Sequence, residues 1–371
     1  PANITLSGNT GAIQWQVSSD NSVFSDISGA TASPLTAAQM GTLTATRYYR
    51  AVVTSGVCSA ANSGVVTITV NPLPTATITA GSATTFCSGG SVVLTASAGS
   101  SYVWKKDNNT IPGSSLQTYT ATTSGDYTVT VTNANGCSAT ASTTVTVNPL
   151  PTASAGTSLS DICQGATSAA MGGSVGGGAT GGTWSGGAGT WTNANDPALA
   201  TYTAGPQESG SITLTLTTSG GSCSTTTATK TITVNALPNQ ATATSTNSCG
   251  TATLVADGGS ASVTWYSDAL GTTSVVSSGN ITVSSTATAS TLAIVNPTAS
   301  TTYYAYTSAN GCRSQNYYAA QVELKYTNTW VGGTTNSLTD WFTTSNWSCG
   351  SVPTVNANVV IPSGLTNYPV I

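Results

Sequence analysis

Alternation of β-branched and small polar residues dominates the chain. Val66-Thr67-Ile68-Thr69-Val70, Thr143-Thr144-Val145-Thr146-Val147 and Thr231-Ile232-Thr233-Val234 place apolar side chains at every second position. That is the period of a strand with one face buried. A nearly constant segment follows each run: Val70-Asn71-Pro72-Leu73-Pro74-Thr75, Val147-Asn148-Pro149-Leu150-Pro151-Thr152 and Val234-Asn235-Ala236-Leu237-Pro238, spaced 77 and 87 residues apart. Proline cannot donate to a ladder and favours a short, stiff, extended linker. The segments therefore mark boundaries, dividing the chain into domains 1–70, 71–148, 149–235 and 236–325, with 326–371 left over.

The order within a repeat is constant. A cysteine precedes a strand such as Val92-Val93-Leu94-Thr95-Ala96, and a tryptophan strand, Tyr102-Val103-Trp104, comes next. Gly125-Asp126-Tyr127-Thr128-Val129-Thr130-Val131 follows, then the hairpin signal Asn133-Ala134-Asn135-Gly136 and Cys137. The fourth repeat matches with Cys249, Leu254, Trp265-Tyr266, Thr302-Tyr303-Tyr304 and Asn310-Gly311-Cys312, and the third with Cys163, Trp184, Ile212–Leu216 and Cys223. Repeat one starts late, with Ile4-Thr5-Leu6 as its second strand, then Trp15 and Cys58. About seven short strands per repeat around one tryptophan predict an all-β chain of tandem immunoglobulin-like β-sandwich domains. Another antiparallel sandwich or a small barrel is the alternative. Trp15, Trp104, Trp184 and Trp265 recur at one point of each repeat, which marks them as core. Of the pairs Tyr48-Tyr49, Tyr303-Tyr304 and Tyr317-Tyr318, one member should be core and the other outward. Residues 326–371 (Trp330-Val331-Gly332-Gly333, Trp341, Trp347, then Asn358-Val359-Val360-Ile361-Pro362) break the pattern and read as the start of a different β domain.

Composition narrows the function. Charged residues are 5% of the 371, with seven Lys+Arg against eleven Asp+Glu, and histidine is absent. Without a basic surface there is nothing to contact phosphates, so nucleic acid is not an expected partner. Without histidine the commonest general base and metal ligand are missing. The aromatic content, eight Trp and fourteen Tyr, argues against disorder. No apolar run reaches transmembrane length, so no membrane insertion is expected. No secretion signal is present and Pro1 reads as a start inside a longer chain. Eight widely spaced cysteines without a CxxC pair read as disulfides, hence an oxidising compartment outside the cytoplasm.

The remaining chemistry is thin. Gly176-Gly177-Gly178-Ala179-Thr180-Gly181 satisfies a dinucleotide pattern, but Thr183-Trp184-Ser185-Gly186 follows where that fold needs a helix, so it reads as a strand connection. The aspartates, among them Asp20, Asp107, Asp196, Asp257, Asp268 and Asp340, sit beside turn residues and read as turn caps rather than calcium ligands. A spaced carboxylate pair for glycoside hydrolysis is missing. No catalytic residue, cofactor or metal is therefore assigned. Trp191, in a Gly-rich stretch, is the one candidate for stacking on a sugar. Lys230 and Lys325 are the candidates for an intramolecular Lys–Asn crosslink, which needs a buried lysine beside an acid.

The repeats resemble the immunoglobulin-like and PKD-like modules of giant surface proteins in the Bacteroidota, gliding-motility adhesins among them. The resemblance rests on Cys249…Trp265-Tyr266…Thr302-Tyr303-Tyr304…Asn310-Gly311-Cys312 and, for the PKD-like variant in 149–235, on Gly182-Thr183-Trp184-Ser185-Gly186 and Gly189-Thr190-Trp191-Thr192. Trp341 through Pro362 is similar to the start of a β-helical region in the same proteins. It implies type IX export and display at the bacterial cell surface. The expected function is a non-catalytic structural or adhesive segment, an elongated rod on the order of 150–200 Å long at roughly 35–40 Å per domain. Expected partners are surface glycans, other cell-surface or secretion proteins, or neighbouring copies by lateral self-association. The alternative is a spacer or carbohydrate-binding module of a secreted polysaccharide-degrading enzyme.

Sandwich order bears on the cysteines. The first cysteine of a repeat lies at one pole and the second, after the Asn-Gly turn, at the other, a strand length apart; a disulfide needs Cα atoms within about 7 Å. The chain enters each domain at the second pole and leaves at the first. This favours bonds between neighbours: Cys87–Cys223, Cys163–Cys312 and Cys249–Cys349, with Cys58 and Cys137 unpaired here and matched to cysteines before Pro1. Pairing within repeats (Cys87–Cys137, Cys163–Cys223, Cys249–Cys312) is the alternative.

Overall fold

The computed structural model describes residues 1–332 and 335–370; Gly333 of the tail motif lies outside the described residues. The chain is all-β apart from short helical turns, and it divides into two compact units, residues 1–150 and 151–371.

The second repeat, in the first unit, shows the immunoglobulin-like arrangement in full. One sheet runs Asn109–Thr110, Ser101–Lys106, Gly125–Thr132, Ser138–Asn148, Thr85–Cys87; the facing sheet runs Thr118–Ala121, Val92–Ala96, Ile78–Ala80. Period-two sequence explains the core. Tyr127, Val129 and Val131 point inward against Val92, Leu94 and Ala96, while Thr128, Thr130 and Thr132 stay partly exposed. Asp107 and Asn108, at φ 50° and 66°, form the two-residue turn between Ser101–Lys106 and Asn109–Thr110, the conformation that suits hairpin twist. The Tyr127 hydroxyl donates to the Thr123 carbonyl at 2.9 Å, closing the corner where the chain changes sheets.

The first repeat has one complete sheet, with Ala12–Ser18 and Arg47–Thr54 paired over seven residues. Ile4-Thr5-Leu6 is not a strand of the kind expected. Ile4 makes an isolated bridge with Leu35, exchanging two backbone bonds of 2.9 and 2.8 Å. A strand needs a ladder partner along its length, and here the opposite segment turns after one residue into the helix Ala37–Met40, capped reciprocally by Thr36 and Gln39. Ile4, Leu35 and Met40 still cover Trp15 as a second layer.

In the second unit, the third repeat packs the sheet Ile162–Cys163, Thr227–Asn235, Gly210–Ser219, Gly181–Ser185 against two short antiparallel strand pairs, Pro151–Ser154 with Ser174–Gly177 and Thr190–Thr192 with Thr201–Thr203. Its core is Met171, Trp184, Tyr202, Leu214, Leu216, Ile232 and Val234. Gly176–Gly181 joins two strands, Ser174–Gly177 and Gly181–Ser185, through a turn closed by the Ala179 N–H on the Gly176 carbonyl; no helix follows. The fourth repeat faces Thr242–Ser248, Thr251–Asp257, Ala289–Val295, Ile281–Ser285 against Ser262–Tyr266, Thr302–Ala309, Cys312–Arg313 and Tyr318–Gln321. In every repeat the tryptophan is buried and its indole N–H donates to a backbone carbonyl: Trp15 to Ala32, Trp104 to Leu116, Trp184 to Pro197 and Trp265 to Ser290, at 2.9–3.2 Å. The recurring position thus fills the core and satisfies its one polar atom.

Tyr49 and Tyr303 are the buried members of their pairs, but neither Tyr317 nor Tyr318 is core. The strand Tyr318–Gln321 begins with its tyrosine at the exposed end, and only Ala320, deeper in, is buried. In the tail, Tyr326–Thr329 pairs in parallel with Ala357–Val360, unlike any strand pair in the sandwich cores of the fourth repeat. Trp330, Trp341 and Trp347 cluster beneath it edge to face, with ring centroids 5.0 and 4.6 Å apart.

Candidate functional site

The conspicuous chemistry lies at the joints between neighbouring repeats. Two short strands set it up. In the second repeat Thr85–Cys87 pairs in parallel with the end of Ser138–Asn148, placing Cys87 opposite Asn148. In the third, Ile162–Cys163 pairs in parallel with Thr227–Asn235, placing Cys163 opposite Asn235. Each run is too short to continue, because a turn closes on the cysteine carbonyl directly afterwards: Gly90 N–H to Cys87 at 3.0 Å and Ala166 N–H to Cys163 at 2.9 Å. The cysteine is thereby held beside the asparagine where the chain leaves the repeat.

Cys163 is bonded to Cys312 of the next repeat, with Cα atoms 5.7 Å apart. Cys312 follows the turn residues Asn310 and Gly311, both at positive φ. The linker is pinned around this bond. Leu237 N–H donates to the Gln164 side-chain oxygen at 3.0 Å, Asn235 Nδ2 to the Asn310 carbonyl at 3.3 Å, and the Thr307 hydroxyl to the Asn239 carbonyl at 2.6 Å. The Gln240 side-chain amide bonds the Tyr317 carbonyl. Cys249 is bonded to Cys349, with Cα atoms 5.0 Å apart. There Asn247 Nδ2 donates to the Glu323 and Leu324 carbonyls, and the buried Asn328 side chain accepts from Cys349 N–H at 3.1 Å while donating to the Ser351 carbonyl. The within-repeat pairs Cys163–Cys223 and Cys249–Cys312 do not form: within one sandwich the two cysteines sit at opposite poles. Cys87 and Cys223 are also disulfide-bonded, whereas Cys58 is an exposed free thiol and Cys137 a half-buried one. Disulfides persist in oxidising surroundings, so this protein belongs in such an environment.

Trp191 is half-buried against the third core. Its ring stacks on Trp184 at 6.0 Å, lies 5.1 Å from Tyr202, and its N–H donates to the Gly186 carbonyl. Burial pushes the Tyr202 hydroxyl up to about 12, reinforced by its hydrogen bond to Glu208. Burial also acts to raise Glu208, but bonds from Tyr202 and from the Ala188 and Gly205 amides outweigh it and leave the carboxyl below its ordinary range. Lys230 is buried, its Nζ donating to the Thr157 and Met171 carbonyls at 2.7 Å each, and desolvation lowers its pKa. Among the described residues its Nζ bonds those two carbonyls and no carboxylate, so the setting a Lys–Asn crosslink needs is not assembled around it. The aspartates act on turns. Asp20 accepts the Ser22 and Val23 amides, Asp196 those of Ala198 and Leu199, and Asp268 those of Leu270, Thr272 and Thr273. Among the described residues no group of three or more His, Cys, Asp or Glu is placed to hold a metal, and no helix is long and apolar enough to cross a membrane.

One grouping escaped sequence reasoning. Tyr266, Tyr304, Tyr306 and Tyr317 pack edge to face on the outer side of the fourth repeat, with the Arg313 guanidinium 4.4 Å from the Tyr306 ring centre. Arg313 also donates to the Gly271 and Leu270 carbonyls and the Tyr306 hydroxyl to Ala269, so the cluster anchors the loop after Tyr266. The signal for it was the alternation Tyr304-Ala305-Tyr306, whose aromatic positions share a face.

Residues 1–72 match the family model described as a domain of unknown function (DUF8696). No curated protein matches the chain. Among solved structures, the titin I-band fragment I67–I69 is 15% identical, with 68% of this chain and 98% of that one covered at a TM-score of 0.39. Immunoglobulin domains 1–5 of Sidekick-1 are 14% identical, with 86% and 74% covered at a TM-score of 0.24. The insect immune protein hemolin is 13% identical, with 84% and 92% covered at a TM-score of 0.26.

Proposed function

We propose that this chain is a non-catalytic, tension-carrying segment of a large exported surface adhesin, in which each sandwich is stapled to its neighbour. The observation that carries the reading is the overlap of two bonds. Cys163–Cys312 spans 149 residues and Cys249–Cys349 spans 100, and Cys249 lies inside the first span. Tension arriving at Cys163 can cross to Cys312 through one covalent bond instead of through every strand between them. On this reading Cys87 pairs with Cys223 and continues the series, and the boundaries near residues 70, 148, 235 and 325 are the joints. Non-reducing peptide mapping tests the pairing: a Cys87–Cys223 peptide supports it and a Cys87–Cys137 peptide contradicts it. Small-angle scattering tests the role: a maximum dimension on the order of 150–200 Å supports a spacer, and a compact globule opposes it.

The finer assignment, type IX export and display at a bacterial cell surface, in gliding cells as part of an adhesin, rests on the resemblance of the Cys249–Cys312 series. The low charge supports lateral packing of neighbouring copies or contact with surface glycans and secreted proteins, since little repulsion opposes either. The rival reading is a carbohydrate-binding spacer of a polysaccharide-degrading enzyme, using the exposed part of Trp191. A glycan array separates them: binding abolished by Trp191→Ala with the fold intact favours the rival.

A further inference from the structure

We propose that the outward face of the fourth repeat binds a neutral glycan chain, with Tyr304, Tyr317 and Tyr266 supplying the rings and Thr302, Thr264 and Gln321 the flanking hydrogen bonds. The inference rests on the exported-segment reading for its setting, but not on the staples or on Trp191.

In each repeat the residue after the core tryptophan turns outward and pairs across the sheet with the long neighbouring strand. Those pairs are Gln16–Arg50, Lys105–Thr128 and Ser185–Thr215 in the first three repeats, all hydrophilic. In the fourth repeat the pair is Tyr266–Tyr304. Two residues further along the same strand, Val52, Thr130 and Thr217 give way to Tyr306. Tyr317 lies against both tyrosines of that strand, its ring centre 5.0 Å from that of Tyr304 and 5.6 Å from that of Tyr306. Among the four repeats, this one alone has exchanged the polar cover of that face for aromatic rings.

Anchoring the loop after Tyr266 does not require all of these rings. The Tyr306 hydroxyl holds the Ala269 carbonyl at 2.7 Å and Arg313 holds those of Gly271 and Leu270. Among the described residues the hydroxyls of Tyr266, Tyr304 and Tyr317 have no partner within the protein. Tyr317 is 36% exposed, and Ala319, opposite Tyr304, is too small to cover that ring. Exposed rings rimmed by polar groups mark a ligand surface. Here the rim is hydroxyl and amide: Thr302 and Gln321 face each other beside Tyr304, and Thr264 lies opposite Tyr306. The two charges that adjoin the cluster are satisfied within the protein. The Arg313 guanidinium lies 4.4 Å from the Tyr306 ring centre and bonds two carbonyls, and Asp268 accepts the Leu270, Thr272 and Thr273 amides. A pyranose matches such a surface, because its C–H face lies on an aromatic ring while its edge hydroxyls bond phenol, hydroxyl and amide groups. With no free charge to offer, the face suits a neutral chain and not a uronic or sulfated one.

The test is affinity electrophoresis of the full chain through native gels containing laminarin, mannan, xyloglucan or dextran, with alginate as the anionic counterpart. At least one of the neutral polysaccharides should retard the chain. Tyr304→Thr installs the residue that the second and third repeats carry there, and Tyr266→Ser the residue of the third; each should weaken that binding about tenfold. Trp191→Ala should leave it unchanged. Hydrogen exchange at Leu254 and Leu292, in the fourth core, shows whether each variant keeps its fold. Retardation by none of the neutral polysaccharides, retardation by alginate alone, or binding that survives both tyrosine variants overturns the proposal. So does a concentration-dependent dimer that the same variants abolish with no polysaccharide bound, which makes the face a contact between copies. Binding lost in Trp191→Ala but kept in both tyrosine variants overturns it in favour of the rival carbohydrate module. Peptide mapping of Cys163–Cys312 on the same samples keeps the readings apart: if that bond is present and binding absent, the staples stand and only this site is lost.

Discussion

Replacing Cys163 and Cys312 together by serine removes one staple without leaving a loose thiol. Its worth follows from the structure rather than from the 149-residue sequence separation. If the fourth repeat opens while the third stays folded, Cys163 remains fixed across the ladder from Asn235. The loop that the bond then closes runs from Asn235 to Cys312, a separation of 77 residues. Loop-closure entropy for that length is about 4.5 kcal/mol at room temperature. The double substitution should therefore raise the open population of the fourth repeat roughly 2,000-fold, since each tenfold is 1.4 kcal/mol. Native-state hydrogen exchange reads this directly. Amides of Leu254, Leu292 and Ala305, all in its buried strands, should exchange about three decades faster, while those of Val129 and Val131 in the second repeat keep their rates. An acceleration under about tenfold, or one shared equally by the second repeat, refutes the reasoning.

Trp191→Ala removes a ring stacked on Trp184 and tilted against Tyr202 and should cost about 2–3 kcal/mol, less than a fully buried Trp→Ala, read as a lower urea midpoint of the third repeat; an unchanged midpoint contradicts its packing role. Tyr127→Phe deletes the hydroxyl bonded to Thr123 and should destabilise the second repeat by about 1–2 kcal/mol, measured by thermal or urea unfolding of the variant. Asp268 is held at about 2, against an ordinary 3.8, first by the Thr272 amide and then by those of Thr273 and Leu270. Its folded-state pKa lies below the unfolded one, so its stabilisation is complete above pH 3.8 and drains away as pH falls from 3.8 towards 2. Unfolding midpoints of Asp268→Asn and the parent should differ near neutrality and converge across that window, and parallel curves contradict the assignment.

The strands with their own alternation were readable in advance. Val92–Ala96, Gly125–Thr132 and Thr227–Asn235 bury one face by sequence alone and the repeated tryptophan marks the core, whereas the alternation of Val66–Val70 yields only the three-residue strand Val66–Ile68 with no buried residue. What escapes local reading is whatever depends on a distant neighbour. Ile4–Leu6 has strand composition but a partner that bends away after Leu35. Tyr317 and Tyr318 look like the other tyrosine pairs yet both stay exposed. The parallel pairing of Tyr326–Thr329 with Ala357–Val360 joins segments about thirty residues apart, with the crossover that such pairs require. The cysteines are plain in the sequence, but which sulfur each meets depends on where the poles of consecutive sandwiches lie, a property of strand order. The aromatic cluster around Tyr306 was missed because its members come from three strands and a loop.

The most direct test of tension passing through the staples is single-molecule stretching of the chain from its two ends, oxidised and then reduced. In a Cys87→Ser/Cys223→Ser variant, where no third bond offers the load another route, Cys163–Cys312 bypasses the residues it brackets, so the oxidised protein should show no release of their contour length. After reduction the same 149-residue span should add roughly 500 Å in unfolding steps, at about 3.3–3.6 Å per residue. Steps of that total length already present in the oxidised protein would contradict the account.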